Sequence, residues 1–205
     1  MTNLLQSINV YLYRTSDSSN HDSDFFKRYI LFKETGCKEI QFDFGPYGKP
    51  YVKLPGYADL HFNISHTGHY LVGAVSVGSF IGIDIECLRP IEFDCIDYFM
   101  SEQEIAQFNK FTLEEEKLDY FYTIWTLKEA YAKMLGVGLN MNLAEVSFSL
   151  KNQQIKTAVG DVCCHSMIVD NLYRLSLVSN IQMKINVVNI RQNLLIEEAD
   201  NNYFK

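Results

Sequence analysis

The stretch Gly82-Ile83-Asp84-Ile85-Glu86 decides how the rest of the chain is read. Successive side chains of a β-strand alternate between its faces, so Ile83 and Ile85 point one way and Asp84 and Glu86 the other. The apolar side suits a core. The acidic side sets two carboxylates roughly 6.5 to 7 Å apart along the strand, close enough to converge on one hard cation held through oxygen. Alternation of this kind also describes an ordinary strand with one solvated face. The chemical reading gains weight only from the company the stretch keeps.

Downstream, Trp125-Thr126-Leu127-Lys128-Glu129-Ala130-Tyr131-Ala132-Lys133 reads as a helix, with Trp125, Glu129 and Lys133 four apart and therefore on one face. Upstream stand Phe62-Asn63-Ile64-Ser65-His66 and the turn Gly45-Pro46-Tyr47-Gly48-Lys49-Pro50, whose glycines and prolines mark a fixed reversal that presents Tyr47 and Lys49 predictably. An acidic pair, a third carboxylate on a helix, lysines and a histidine describe a local phosphate site filled by a metal. Carboxylates bind Mg²⁺, the metal bridges phosphate oxygens, and Lys and His neutralise the remaining charge.

Composition narrows the field. At 205 residues, with 47% hydrophobic and 14% aromatic content, the chain can bury the core of one domain or of two small subdomains. A formal charge of -7 and no basic run argue against a nucleic-acid binder. The five cysteines (Cys37, Cys87, Cys95, Cys163, Cys164) lack disulfide or zinc spacing, so reduced thiols in a cytosol are expected. Neither a leader nor a membrane span is legible, and a soluble, unexported protein is the expectation.

Taken in order, Leu4 to Arg14 reads as a strand and Ser23 to Thr35 as a helix capped by Asp22 or Ser23 and stopped by Gly36. Lys27, Arg28 and Lys33 ride on that helix, either as a solvated face or as phosphate contacts. Strands are expected at Ile40 to Phe44, His61 to Ile64 and Tyr70 to Val77, the last forming a hairpin with Phe80 to Glu86 through Gly78-Ser79. Ser101-Glu102-Gln103-Glu104 and Thr112-Leu113-Glu114-Glu115 are capping boxes for two helices, the second running into, or breaking before, Phe121 to Leu135. Glu114-Glu115-Glu116 is a solvated helix start. From Glu145 the period turns to two, predicting an antiparallel meander with strands near 145–150, 154–159, 162–169, 173–178 and 183–188. Cys163-Cys164 within it reads as burial, and the segment after Arg191 as a polar tail.

At these motifs the sequence resembles the 4′-phosphopantetheinyl transferases, of the longer surfactin-synthetase-activating type. The resemblance rests on an ordered set: Tyr47-Gly48-Lys49-Pro50, Phe62-Asn63-Ile64-Ser65-His66, Gly82-Ile83-Asp84-Ile85-Glu86, and Trp125-Thr126-Leu127-Lys128-Glu129-Ala130 with Lys133. It implies an α+β fold, a pseudo-twofold monomer of two similar subdomains, here 1–88 and 89–205, with coenzyme A and Mg²⁺ in the cleft between them. It implies Asp84, Glu86 and Glu129 as metal ligands, Lys133 on the phosphates and Lys128 helping to hold the cofactor. By the same resemblance Ser65 and His66 contact the 3′-phosphate and adenosine region, and Tyr47, Gly48, Lys49 and Pro50 form the edge that receives adenine. Lys27 and Lys33 are the candidates for a further grip on the 3′-phosphate. The implied reaction transfers phosphopantetheine from coenzyme A to a serine of an apo acyl or peptidyl carrier protein, releasing 3′,5′-ADP in the cytoplasm. Asp84, Glu129 and Lys133 are its implied catalytic residues, with Glu129 or a metal-bound water taking the serine proton. Apolar residues between Ile91 and Met100 are either core or the receiver of a carrier-protein helix. Two other readings stand beside this one: a coenzyme A or carrier-protein binding module of the same fold without transfer, and an unrelated Mg²⁺-dependent phosphohydrolase.

Overall fold

In a computed structural model, which describes residues 7–15, 23–151, 154–158, 160, 162–182 and 184–191, the acidic stretch is the strand β6 (Ile81–Cys87). Its neighbours follow from its two faces. Ile81, Ile83 and Ile85 are wholly buried and face Ile8, Val10 and Leu12 of β1 (Ser7–Arg14), Tyr70, Val72 and Ala74 of β5 (Tyr70–Val77), and Leu175 and Leu177 of β10 (Tyr173–Ser179). Each such isoleucine contributes about 1.5–3 kcal/mol relative to an exposed one. The opposite face, carrying Gly82, Asp84 and Glu86, is covered by α4 (Glu114–Leu135).

Two sheets therefore lie face to face. The first has the order β11-β1-β5-β4, where β4 is Leu60–Thr67 and β11 is Lys184–Ile190; the second is β6-β10-β9, with β9 at Cys163–Val169. The outer face of the first sheet takes α1 (Ser23–Thr35), whose Phe26 and Ile30 seat on β5 where Gly73 leaves room: a Cβ at Gly73 would stand 2.6 Å from Ile30 Cδ1. The outer face of the second sheet takes α4. Helix, sheet, sheet, helix is an α+β architecture, as expected. Short α2 (Ile96–Phe99) and α3 (Glu102–Phe108), the 3-10 turns Gly138–Asn140 and Leu143–Glu145, and the hairpin of β7 (Phe148–Lys151) and β8 (Gln154–Thr157) wrap the far side of α4. The hairpin of β2 (Phe42–Phe44) and β3 (Pro50–Val52) carries the Tyr47 turn.

Several connections differ from the expectation. Tyr70 to Val77 does not form a hairpin with β6. It pairs with β4 and β1, while β6 pairs antiparallel with β10. Gly78, at φ 77, does reverse the chain, but the bonds around it (Ser76 Oγ to Ser79 O, 2.6 Å; Ser79 Oγ to Asn180 Oδ1, 2.9 Å) lead the strand across to the other sheet. The final strand also leaves the expected meander: β11 runs parallel to β1, with Val10 opposite Val187. Each sheet thus draws strands from both sides of residue 88. The second capping box is not formed, since α4 starts at Leu113 without a side-chain cap; α4 continues unbroken for 22 residues to Gly136. The first box, at Ser101 and Glu104, is complete. Residues 4–6 of the expected first strand, Asp22 and the tail beyond Arg191 lie outside the described residues. None of the described helices is long and apolar enough to cross a membrane.

The distance between β6 and α4 depends on Gly82. A Cβ there would lie 1.9 Å from Ala130 O and 2.4 Å from Met134 N, backbone atoms of the helix that cannot step aside without moving it. Gly82→Ala is expected to cost about 1–3 kcal/mol and to lower Tm by roughly 5–10 °C in thermal unfolding. A Tm within a degree of wild type would show that the helix floats on the strand rather than being seated on it.

Candidate active site

The carboxylates and lysine singled out by the sequence meet where α4 crosses β6. Asp84 is 3% exposed, and its Oδ1 accepts from Lys133 Nζ at 2.7 Å and from Ser65 Oγ at 2.8 Å. Lys133 Nζ also donates to Ser65 Oγ, at 2.8 Å, closing a triangle. Ser65 reaches Asp84 because β4 lies along the free edge of β6, and every second β4 side chain engages that edge. Asn63 Oδ1 accepts the Ile83 N–H at 3.0 Å, and Thr67 Oγ1 donates to Glu86 Oε2 at 3.3 Å. The seam between the two halves is thus a row of polar side chains, 63, 65 and 67. The sequence reading quotes Asn63 within a motif but gives neither it nor Thr67 a role; period-two alternation along Phe62 to Thr67 carries both.

Electrostatics mark the same place. Burial raises the pKa of Glu129, the negative charge of Asp84 raises it further, and Lys133 only partly opposes them. Glu86 is raised by burial and by Asp84, against hydrogen bonds from the Trp125 indole and from Thr67. Among the described residues, two buried oxygens, Asp84 Oδ2 and Glu129 Oε1, have no hydrogen-bond partner. A buried carboxylate oxygen without a donor is costly, and a cation, were Asp84, Glu86 and Glu129 to hold one, would satisfy both. The chemistry of this donor set fits Mg²⁺. Among the described residues no group of three His, Cys, Asp or Glu side chains is drawn in to metal-binding positions; Lys133 holds the centre instead.

The Tyr47 turn comes close to this centre. Tyr47, Gly48, Lys49 and Pro50 share a cavity of about 240 Å³ with Asn63 and Lys133. Tyr47 is 59% exposed at its mouth. On the other side of Glu86 a larger cavity of about 560 Å³ is walled by Trp125, Phe99, Tyr98, Cys95, Ile91 and Met141. Of the stretch Ile91 to Met100, Phe99 and Met100 are core, whereas Tyr98 is 83% exposed at this rim.

Other candidates stand elsewhere. Lys128 does not reach the cleft: it is completely buried, its ammonium donating to Glu104 at 2.7 Å, to Leu143 O at 2.8 Å and to Val146 O. One residue along a helix turns a side chain by about 100°, so Lys128 and Glu129 cannot share a face. Glu104, read from the sequence only as a helix cap, is its partner. Lys27 and Lys33 ride on α1, against the outer face of the first sheet. Lys27 pairs with Asp24 at 3.3 Å over the Phe42 ring, and Lys33 lies over Tyr29. His66 is exposed and alternates to the β4 face that carries Ile64, opposite to Ser65. Lys49 lines the smaller cavity, but its ammonium donates to Met134 O at 3.0 Å and Ile81 O at 3.4 Å. Cys164 is a half-buried thiol, its pKa pushed up to about 12 by burial.

Residues 80–175 match the model of the 4′-phosphopantetheinyl transferase superfamily. A Bacillus subtilis 4′-phosphopantetheinyl transferase is 40% identical over 113 residues, covering 55% of this chain and 49% of that protein. The Bacillus subtilis (strain 168) 4′-phosphopantetheinyl transferase Sfp is 38% identical over 116 residues, 57% of this chain and 49% of its own length. The chain spans about half the length of these curated relatives. Among solved structures, Thermotoga maritima holo-[acyl-carrier-protein] synthase superposes with a TM-score of 0.42 at 20% identity, over 48% of this chain and 61% of that one.

Proposed function

Across residues 80–175 the chain is related to the 4′-phosphopantetheinyl transferase superfamily, and from that premise we propose that it moves phosphopantetheine from coenzyme A to a serine of an apo acyl or peptidyl carrier protein. The observation that carries the reading is the Lys133–Asp84 pair with Glu86 and Glu129 near enough for their charges to act on each other and on Asp84, and with Asp84 Oδ2 and Glu129 Oε1 unpartnered among the described residues. Asp84, Glu86 and Glu129 are the residues that would hold Mg²⁺, and the metal would supply charge neutralisation at the coenzyme A pyrophosphate.

The chain's own groups account for the rest. Lys133 brings a positive charge to the phosphates from the end of α4. The Tyr47 turn offers an exposed ring beside the cavity that Lys133 lines, which suits the adenosine end of the substrate. The serine oxygen attacks the β-phosphorus, the bond from that phosphorus to the bridging oxygen breaks, and 3′,5′-ADP leaves. The serine proton would go to a carboxylate, with Glu129, which burial and the Asp84 charge hold above the ordinary carboxylate range, as the candidate. The apolar cavity beside Glu86, rimmed by Tyr98, is the place for a carrier-protein helix. The same reading makes the protein a monomer working in the cytoplasm.

Intact-mass spectrometry of a carrier protein incubated with this protein, coenzyme A and Mg²⁺ tests the proposal. The expected result is a mass gain of one phosphopantetheine that disappears when a chelator is added. The second reading is binding without transfer. Coenzyme A binding with no mass gain on any of several carriers would select it.

A further inference from the structure

Lys49 stands in the turn that the family resemblance assigns to adenine, yet its ammonium turns inward and donates to two backbone carbonyls. We propose that Lys49 is a positioning residue, a strap that ties the Tyr47 turn to the end of α4 and sets the width of the cavity between that turn and Lys133.

Three segments meet at its nitrogen. The turn supplies the lysine, Met134 O belongs to the last turn of α4, and Ile81 O opens β6. Carbonyls in the last turn of a helix lack partners along the helix and need donors from outside it. Lys49 is such a donor for the residue next to Lys133. Both bodies it joins are themselves fixed. Gly48 N donates to Gly45 O and Gly45 N to Lys49 O, each at 2.9 Å, closing the turn. At the helix end Gly136, at φ 73, donates to Ala132 O at 2.9 Å. The lysine stem crosses Gly136 so closely that a Cβ there would meet Lys49 Cδ at 3.1 Å. The cavity of about 240 Å³ has the turn as one wall and Lys133, Gly136 and Gly138 as another. A tie between the walls governs how far apart they stand. Charged or neutral, the amine still has N–H groups to give, so the strap does not depend on its protonation.

The functional half of this inference rests on the coenzyme A reading, and the test separates the two. Lys49→Met keeps the stem and removes the donors. Its affinities for coenzyme A and for dephospho-coenzyme A, which lacks the 3′-phosphate, are measured by calorimetry with Mg²⁺, together with amide hydrogen exchange at Gly136 and Val137 in the free protein. A strap predicts that both ligands weaken by the same factor, about tenfold for the loss of a charged hydrogen bond, and that the two amides exchange at least about tenfold faster. Weakening of coenzyme A alone, with unchanged amides, makes Lys49 a phosphate ligand and overturns the proposal, as does a variant indistinguishable from wild type. If wild type binds neither ligand the transferase reading falls, and faster exchange at Gly136 and Val137 still establishes the strap.

Discussion

Asp84→Asn is expected to abolish carrier-protein modification, lowering kcat/KM by at least about 10²–10³, the loss typical of one preorganised charge-stabilising group. Asparagine is preferable to alanine here. Asp84 is not a surface carboxylate: its Oδ1 is the shared acceptor of Lys133 and Ser65, and alanine would leave both donors facing a gap. That loss costs about 1–3 kcal/mol of stability and blurs the test. The amide keeps an oxygen where Oδ1 stands and puts an NH₂ where Oδ2 has no partner, so the fold is expected to persist with a Tm within a few degrees of wild type. What it removes is the anionic oxygen that would face the proposed cation. Transfer assays at saturating Mg²⁺ and coenzyme A decide the matter, with circular dichroism as the folding control. A folded Asp84→Asn protein with near-normal turnover would take the metal out of the mechanism.

Much of this site is legible in the chain because short periodicities encode it. Alternation in Gly82 to Glu86 separates carboxylates from isoleucines, and a spacing of four stacks Trp125, Glu129 and Lys133. Both patterns are local. The same rule, applied to Phe62 to Thr67, would have added Asn63 and Thr67, and applied to Lys128 it would have turned that side chain away from Glu129. What no local pattern encodes is which strand lies beside β6. Gly78-Ser79 signals a reversal, but a reversal serves equally for a hairpin and for a crossing between sheets; the choice is made by β10, whose Ser176 stands opposite Asp84 and Arg174 opposite Glu86. The parallel pairing of β11 with β1 is equally invisible, since strand propensity carries no direction. Lys49 shows a different limit. A motif places it correctly beside the cavity, whereas the destination of its ammonium depends on where the end of α4 happens to pass.

The largest effect on stability is expected from Lys128→Met. Lys128 and Glu104 are 0% and 1% exposed, and every polar atom of the pair is engaged. The ammonium spends its three donors on Glu104, Leu143 O and Val146 O. The carboxylate accepts in addition from the backbone N–H groups of Ser101 and Phe148, each at 2.7 Å. One ion pair thereby fastens α3, the 3-10 turn at Leu143–Glu145 and the start of β7 to the helix that carries Glu129 and Lys133. Methionine fills most of the lysine volume but supplies no charge, so Glu104 becomes a buried carboxylate without its cation and two carbonyls lose their donor. Removing one partner of such a pair costs about 3–5 kcal/mol, against little for removing both together. Denaturant unfolding of Lys128→Met should show that loss, with Tm lowered by roughly 10 °C or more. Adding Glu104→Gln removes the orphaned charge and returns an N–H donor near Leu143 O and Val146 O, so the double variant is expected to recover more than half of the deficit. A double variant no more stable than Lys128→Met would mean that packing, and not charge compensation, holds this side of the helix. A single variant losing less than about 1 kcal/mol would mean that the ion pair adds little to the packing of this side of the helix.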